Sequence, residues 1–167
     1  MRFVVLLCTL ALALAGCTKP VSTLAVGTPA PAFTATAHDG TVVKIPATDG
    51  KPVVLYFYPK DETPGCTKEA CSFRDAWKEL AKTGVLLVGV STDTLDSHKD
   101  FAKHYELPFH LVSDPDGAIA RQYGVGSTFG MLDRQTVIIG ADGNVKKIYR
   151  SVDVSKHASE VLADLAS

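Results

Sequence analysis

The run Val53-Val54-Leu55-Tyr56-Phe57-Tyr58 constrains the fold more than any other part of the chain. It leaves no polar face, so it reads as a strand covered on both sides, as in a parallel sheet. Pro59 ends the strand. A short polar loop follows, and Thr63-Pro64 then opens a helix, with Thr63 suited to the N-cap and Pro64 to the first helical position. Cys66 falls in the first turn of that helix, where unpaired N–H groups and the helix dipole favour an anion. The thiolate is the nucleophilic form of cysteine, so Cys66 is a candidate reactive residue.

The rest of the chain extends this unit. Residues 33–45 read as a hairpin around His38-Asp39-Gly40, an Asp-Gly turn between alternating residues. Residues 64–83 read as one helix ended by Gly84, with an apolar stripe at Cys66, Ala70, Phe73, Trp77, Leu80 and Ala81. A buried strand at 85–91 is followed by a helix at 95–105, capped by Asp93 or Thr94. A strand at 109–113, a helix at 115–123 before Gly124 and a loop at 124–133 come next. A hairpin of 136–140 with 144–149 and a closing helix at 155–166 complete the domain. The alternation predicts an α/β fold with a central mixed sheet flanked by helices and an N-terminal hairpin. Cys66 then lies beyond the carboxyl end of the central strand, the usual ligand crevice of such sheets.

The N-terminus sets the compartment. Residues 1–16 carry one charge, Arg2, and then an apolar run broken only by Thr9, which is a signal-peptide pattern too short for a membrane span. Leu14-Ala15-Gly16-Cys17 resembles the lipobox of bacterial lipoproteins, in which the chain is cut before the cysteine and that cysteine is acylated. The likeness implies residues 1–16 as signal peptide, a lipidated Cys17 with a tether to residue 26, and a domain over 27–167. It implies an exported, membrane-anchored protein on the periplasmic face. With no Asp after Cys17, it resembles the outer-membrane pattern if the source is Gram-negative. Of the four cysteines, Cys8 leaves with the signal and Cys17 is acylated, so the domain keeps only Cys66 and Cys71. Two thiols near one helix start make a redox pair rather than a disulfide scaffold. Four intervening residues, no third cysteine and dispersed histidines do not make a zinc site, and no metal is expected.

Pro59, Thr63 and Cys66 match the Pro-x-x-x-Thr-x-x-Cys motif of peroxiredoxins. The longer string Tyr58-Pro59-Lys60-Asp61, Thr63-Pro64-Gly65-Cys66-Thr67 and Glu69-Ala70-Cys71 resembles the Q-type, or bacterioferritin comigratory protein, subfamily. The likeness continues through Ser91-Thr92-Asp93, Ser97-His98-Lys99, Leu107-Pro108-Phe109 and Ser113-Asp114, and covers roughly 27–165. It implies a thioredoxin-like fold and a thioredoxin-dependent peroxidase that reduces hydrogen peroxide and organic hydroperoxides without a cofactor. It also implies Cys66 as the peroxidatic and Cys71 as the resolving cysteine, joined in an intramolecular disulfide, and a monomer recycled by a thioredoxin-like reductant. Thr63, Cys66 and Arg134 would hold the peroxide, with Pro59 shielding the site. Gln135, Val137 and Gly140 depart from the family pattern around Arg134.

Each of these residues also has a plainer reading: Thr63 as a cap, Pro59 as a strand terminator, Arg134 as a solvated loop charge. His98, His104, His110 and His157 read as surface or packing residues. On the helical wheel Cys71 shares a polar face with Arg74, Asp75 and Lys78, open to a protein reductant. The 151 residues from Cys17 onward suffice for one domain with a real core. Loss of Arg2 leaves 16 basic against 18 acidic residues, with no basic surplus for nucleic acid. A disulfide oxidoreductase would want Cys-x-x-Cys, which is absent. A non-enzymatic redox sensor on the same fold is the remaining alternative.

Overall fold

A computed structural model describes residues 24–167; the segment read as a signal peptide, Cys17 and most of the stretch read as a tether lie outside the described residues. Strand β3 (Val53–Phe57) is buried at every position and occupies the centre of a five-stranded sheet of order β5-β4-β3-β8-β9. It pairs in parallel with β4 (Leu86–Ser91), which pairs in parallel with β5 (His110–Ser113). On its other side it pairs antiparallel with β8 (Gln135–Ile139), which pairs with β9 (Val145–Tyr149). The sheet is therefore mixed. The hairpin β1 (Phe33–Thr36) with β2 (Val42–Ile45) turns at Gly40, whose φ of +85° suits glycine.

The alternation of β3 splits the core in two. Val53, Leu55 and Phe57 face the hairpin together with Ala120 and Tyr123 from α4 (Ala118–Gln122). Val54, Tyr56 and Tyr58 face α1 (Pro64–Asp75), α2 (Trp77–Lys82), α3 (Leu95–His104) and α5 (His157–Ala166). Tyr56 lies across β4 because residue 89 is glycine: a Cβ there would sit 2.6 Å from the tyrosine ring.

Five expectations need correction. The helix foreseen over 64–83 is two helices with a break at Ala76, where ψ is near −4°. The stripe ends at Leu80, since Ala81 is exposed. The segment before Gly124 is helical only over Ala118–Gln122, because Gly117 in a left-handed conformation precedes it. The stretch 124–133 contains a small hairpin of β6 (Ser127–Thr128) and β7 (Met131–Leu132), closed by Phe129-Gly130. Leu24, assigned by sequence to the tether, is buried in the hairpin-side core.

Candidate active site

The chain leaves β3 at Phe57 and reaches α1 through residues 58–63. Contacts made by Asp61 and Glu62 fix this loop to the neighbouring elements. Asp61 is buried, and its carboxylate accepts hydrogen bonds from the Tyr58 hydroxyl (2.7 Å) and the Ser97 hydroxyl (2.7 Å). His98 Nδ1 lies 2.9 Å from the same carboxylate. The Asp61 N–H donates to the Asp93 carboxylate at 2.8 Å. Burial works against the Asp61 charge, but His98, Tyr58 and Ser97 outweigh it and hold the carboxyl below its ordinary range. Next to it, Glu62 adopts φ +60° and meets His104 and the Tyr105 hydroxyl at 3.1 and 3.0 Å. The loop is thus clasped to both ends of α3.

Thr63 stands at the N-cap in extended backbone, yet its side chain does not cap the helix. Its hydroxyl donates instead to the Lys60 carbonyl at 2.9 Å. Pro59, directly before the loop's clasped residues, is half-buried. The first backbone bond of α1 runs from the Thr67 N–H to the Thr63 carbonyl at 2.8 Å. The N–H groups of Gly65 and Cys66 are therefore left free at the helix start, the usual seat of an anion.

Cys66 is 2% exposed and sits at this helix start. Arg134, at the base of β8, reaches it across the sheet end: Nη2 donates to Sγ at 3.2 Å. Nη1 of the same guanidinium donates to the Glu69 carboxylate. Burial opposes the charge of Arg134, but Glu69 and Cys66 outweigh it, so the guanidinium stays protonated. Gly65 lies under the guanidinium, where a Cβ would be 3.4 Å from Nη2, ordinary contact distance. The arrangement presents guanidinium and helix-start N–H donors to an oxygen beside the sulfur.

Glu69 was not singled out from the sequence. It is fully buried one helical turn after Cys66, and burial raises its carboxyl to about 7 against the pull of Arg134. Behind it His157 Nε2 lies 2.8 Å from the Thr136 hydroxyl and 3.9 Å from Glu69. Burial, aided by the Arg134 charge, lowers the imidazole to about 4, so it is neutral near pH 7. The available signal was a carboxylate set among Cys66, Ala70 and Phe73 on one apolar stripe. His98 and His157 are packing residues, as read from the sequence, but both are buried and polar-bonded rather than superficial.

Cys71 lies farther along the same helix and is half-buried; both cysteines are free thiols. Its face is partly covered, because Arg74 donates to the Tyr105 carbonyl at 3.0 Å. The structure thus brings Cys66, Thr63, Pro59 and Arg134 to one sheet end, with Cys71 on a neighbouring face of α1. Gln135 is buried and accepts a hydrogen bond from Arg150 at 3.3 Å.

The AhpC/TSA family matches residues 26–148 of the chain. A Coxiella burnetii protein named for peroxiredoxin bcp is 42% identical over 147 residues, covering 84% of this chain and 97% of that protein. The chloroplastic peroxiredoxin Q of Oryza sativa subsp. japonica is 44% identical over 144 residues; the match covers 84% of this chain and 66% of the rice protein. The bacterioferritin comigratory protein of Xanthomonas campestris, whose structure describes alkyl peroxide reduction, superposes with a TM-score of 0.74. It is 35% identical, over 80% of this chain and 90% of that one. Peroxidoxin BcpB of Mycobacterium tuberculosis gives 0.77 at 34% identity, over 86% and 97% of the two chains.

Proposed function

Because the chain belongs to the AhpC/TSA family and, within it, to the peroxiredoxin Q/BCP subfamily, we propose that Cys66 is its peroxidatic cysteine and Cys71 its resolving cysteine. The thioredoxin-like fold and the thiol peroxidase activity follow from that membership. The observation that carries the residue assignment is the Arg134 guanidinium 3.2 Å from the Cys66 sulfur at an open helix start.

The thiolate attacks the terminal oxygen of the peroxide in line with the O–O bond. The S–O bond forms as the O–O bond breaks. The departing oxygen takes up a proton and leaves as water or an alcohol. Arg134 and the free N–H groups of the helix start face the charge that develops on that oxygen. The Thr63 hydroxyl hydrogen is committed to Lys60, so its oxygen is placed to accept the proton-bearing end of a hydroperoxide. The sulfur is oxidised to sulfenic acid. The Cys71 thiol then displaces water from it to give a disulfide, which a thioredoxin-like dithiol protein reduces with two electrons. Organic hydroperoxides stand beside hydrogen peroxide as substrates, in line with the alkyl peroxide reduction of the Xanthomonas relative.

The second part of the proposal is the anchor. Leu14-Ala15-Gly16-Cys17 lies upstream of the family match, which begins at residue 26. In this reading the chain is exported, cleaved before Cys17, acylated there and held at a membrane face by that modification.

Stopped-flow peroxide reduction tests the residue assignment. Cys66→Ser is expected to abolish the reaction, because a hydroxyl is a far weaker nucleophile near neutral pH. Cys71→Ser is expected to complete one turnover and then stop as sulfenic acid. Full activity of the first variant, or wild-type cycling of the second with thioredoxin, overturns the corresponding assignment.

A further inference from the structure

We propose that Arg74 is a positioning residue of the resolving step: it latches the last turn of α1 to the end of α3, and its release lets Cys71 reach the oxidised Cys66. The inference rests on Cys71 as the resolving cysteine, as proposed above. Three observations carry it.

The first is how α3 ends. The Glu106 N–H donates to the Lys103 carbonyl at 3.4 Å and the Leu107 N–H to the Ala102 carbonyl at 2.9 Å. This pair of bonds closes a helix through one left-handed residue. Here that residue is Glu106, with φ +53°, where glycine or asparagine is usual. The Tyr105 carbonyl just before it is one of the helix-end acceptors that the helix itself cannot satisfy. Arg74 supplies the missing donor, with Nη1 at 3.0 Å. A cation at the carboxyl end of a helix is also favoured by the dipole.

The second is how Arg74 is held. Its Nε and Nη2 donate to the Asp75 carboxylate at 3.0 and 2.9 Å, which fixes the plane of the guanidinium and leaves Nη1 for Tyr105. A planar fork makes these bonds together; an ammonium does not. Arg74 lies three positions after Cys71, on the same helical face. Asp75 first, and then the neighbouring Cys71 and Glu106, hold its proton above the ordinary range against the effect of burial. The guanidinium is thus beside both the thiol that must move and the helix end that it must leave.

The third is that the same corner of α3 holds the chain before α1. His104 Nδ1 and the Tyr105 hydroxyl meet the Glu62 carboxylate, one residue ahead of the N-cap Thr63. The His104 ring stacks on Tyr105 at 4.2 Å between centroids. Glu62 has φ +60°, so two of the three non-glycine residues with positive φ among those described, Glu62 and Glu106, meet at His104-Tyr105. Such conformations persist where the surroundings over-determine them, and they gather at switch regions. The corner grips the loop before α1 through two side chains, and the last turn of α1 through one bond. The single bond is the one placed to let go.

Closed, α1 keeps Cys66 beside Arg134 for the peroxide step. Opening takes Arg74 off the Tyr105 carbonyl and frees the turn that carries Cys71. The S–S bond then forms as the S–O bond of the sulfenic acid breaks, and the Cys71 proton leaves with the oxygen as water.

The full chain serves for the test. Reduced Arg74→Gln is expected to show amide exchange over residues 65–75 about tenfold faster than wild type, the scale of one hydrogen bond to a charged group, with 77–82 unchanged. Rapid mixing with hydrogen peroxide, quenching and mass analysis then separate the sulfenic, disulfide and sulfinic forms. In this variant sulfenic acid is expected to form at the wild-type rate and the disulfide about tenfold faster, so that about tenfold more peroxide gives the same sulfinic fraction. Arg74→Lys keeps the charge and loses the fork, and is expected to fall between the two. Unchanged exchange, or an unchanged disulfide rate, overturns the latch. So does a disulfide that forms more slowly in Arg74→Gln and at the wild-type rate in Arg74→Lys, which would make Arg74 a charge acting on Cys71. A wild type that forms no disulfide between Cys66 and Cys71 overturns this inference together with the reading of Cys71 on which it rests.

Discussion

Arg134 is shared between two acidic groups, the Cys66 sulfur and the Glu69 carboxylate. Its planar fork suits that double task, and a single ammonium would not replace it. Arg134→Ala should slow the peroxide step by roughly 10²–10³, as loss of one oxyanion donor does elsewhere; stopped-flow rates at saturating reductant measure this. Glu69 and His157 give the site a pH signature. Glu69 titrates at about 7 in the fold against 4.5 ordinarily, so its contribution to stability is full below 4.5 and is lost as pH rises through 7. His157 titrates at about 4 against 6.5, so its contribution is present above 6.5 and is lost as pH falls through 4. The two slopes oppose each other between pH 4.5 and 6.5. Glu69→Gln removes the first, so the stability of that variant should rise with pH across this window more steeply than that of the wild type, read by urea unfolding at each pH. The place of Cys66 in the first turn of α1 was legible because Thr63-Pro64 marks the helix start, whereas the turn of the Thr63 hydroxyl to Lys60 instead of to the helix was not. Glu69 and His157 were not, because their partner Arg134 lies 65 and 23 positions away and only the sheet brings them together.

Helix α1 holds both thiols of the proposed redox pair. Five residues along a helix rise about 7.5 Å and rotate to another face, which puts the two Cα atoms roughly 8–9 Å apart. A disulfide bridges about 4.4–6.8 Å. The helix must therefore open before Cys66 meets Cys71. The break at Ala76 gives the opening a boundary, since α2 starts afresh there and buries Leu80 separately. Amide hydrogen exchange should speed up over residues 65–75 on oxidation and stay unchanged over 77–82; equal protection of 65–75 in both states rules out this opening. The break was not legible, because the apolar stripe runs on through Trp77 and Leu80 and no Gly or Pro interrupts it. By contrast, β3, β4, α3 and the β8–β9 hairpin lie within a residue or two of where periodicity, caps and turn residues placed them.

At the scale of the whole molecule, the clasp of Asp61 and Glu62 on α3 would hold the strand-to-helix loop in place through the opening of α1 that the proposed disulfide requires. Pro59, Thr63 and Arg134 then form a resident half of the site, and Cys66 a travelling half. The small hairpin of 127–132 escaped a reading by periodicity because two-residue strands carry no period. The proposed anchor belongs to the full chain rather than to the described domain. Cys17→Ala should move the protein from the membrane to the soluble fraction while its hydrogen peroxide turnover persists, as membrane fractionation and the mass of the mature N-terminus will report. The uncapped start of α1 bears on how long such an enzyme survives. With the Thr63 hydroxyl turned to Lys60, the first turn lacks a contact ordinarily worth about 0.5–2 kcal/mol. A sulfenic Cys66 faces a race between Cys71 and a second peroxide molecule. Fraying at the helix–coil timescale of about 0.1–1 μs favours the thiol in that race. Sulfinic cysteine is rescued only by an ATP-dependent repair enzyme. Under the proposed export from the cytoplasm, a loosely fastened helix would guard against a lesion that no such repair enzyme would reach.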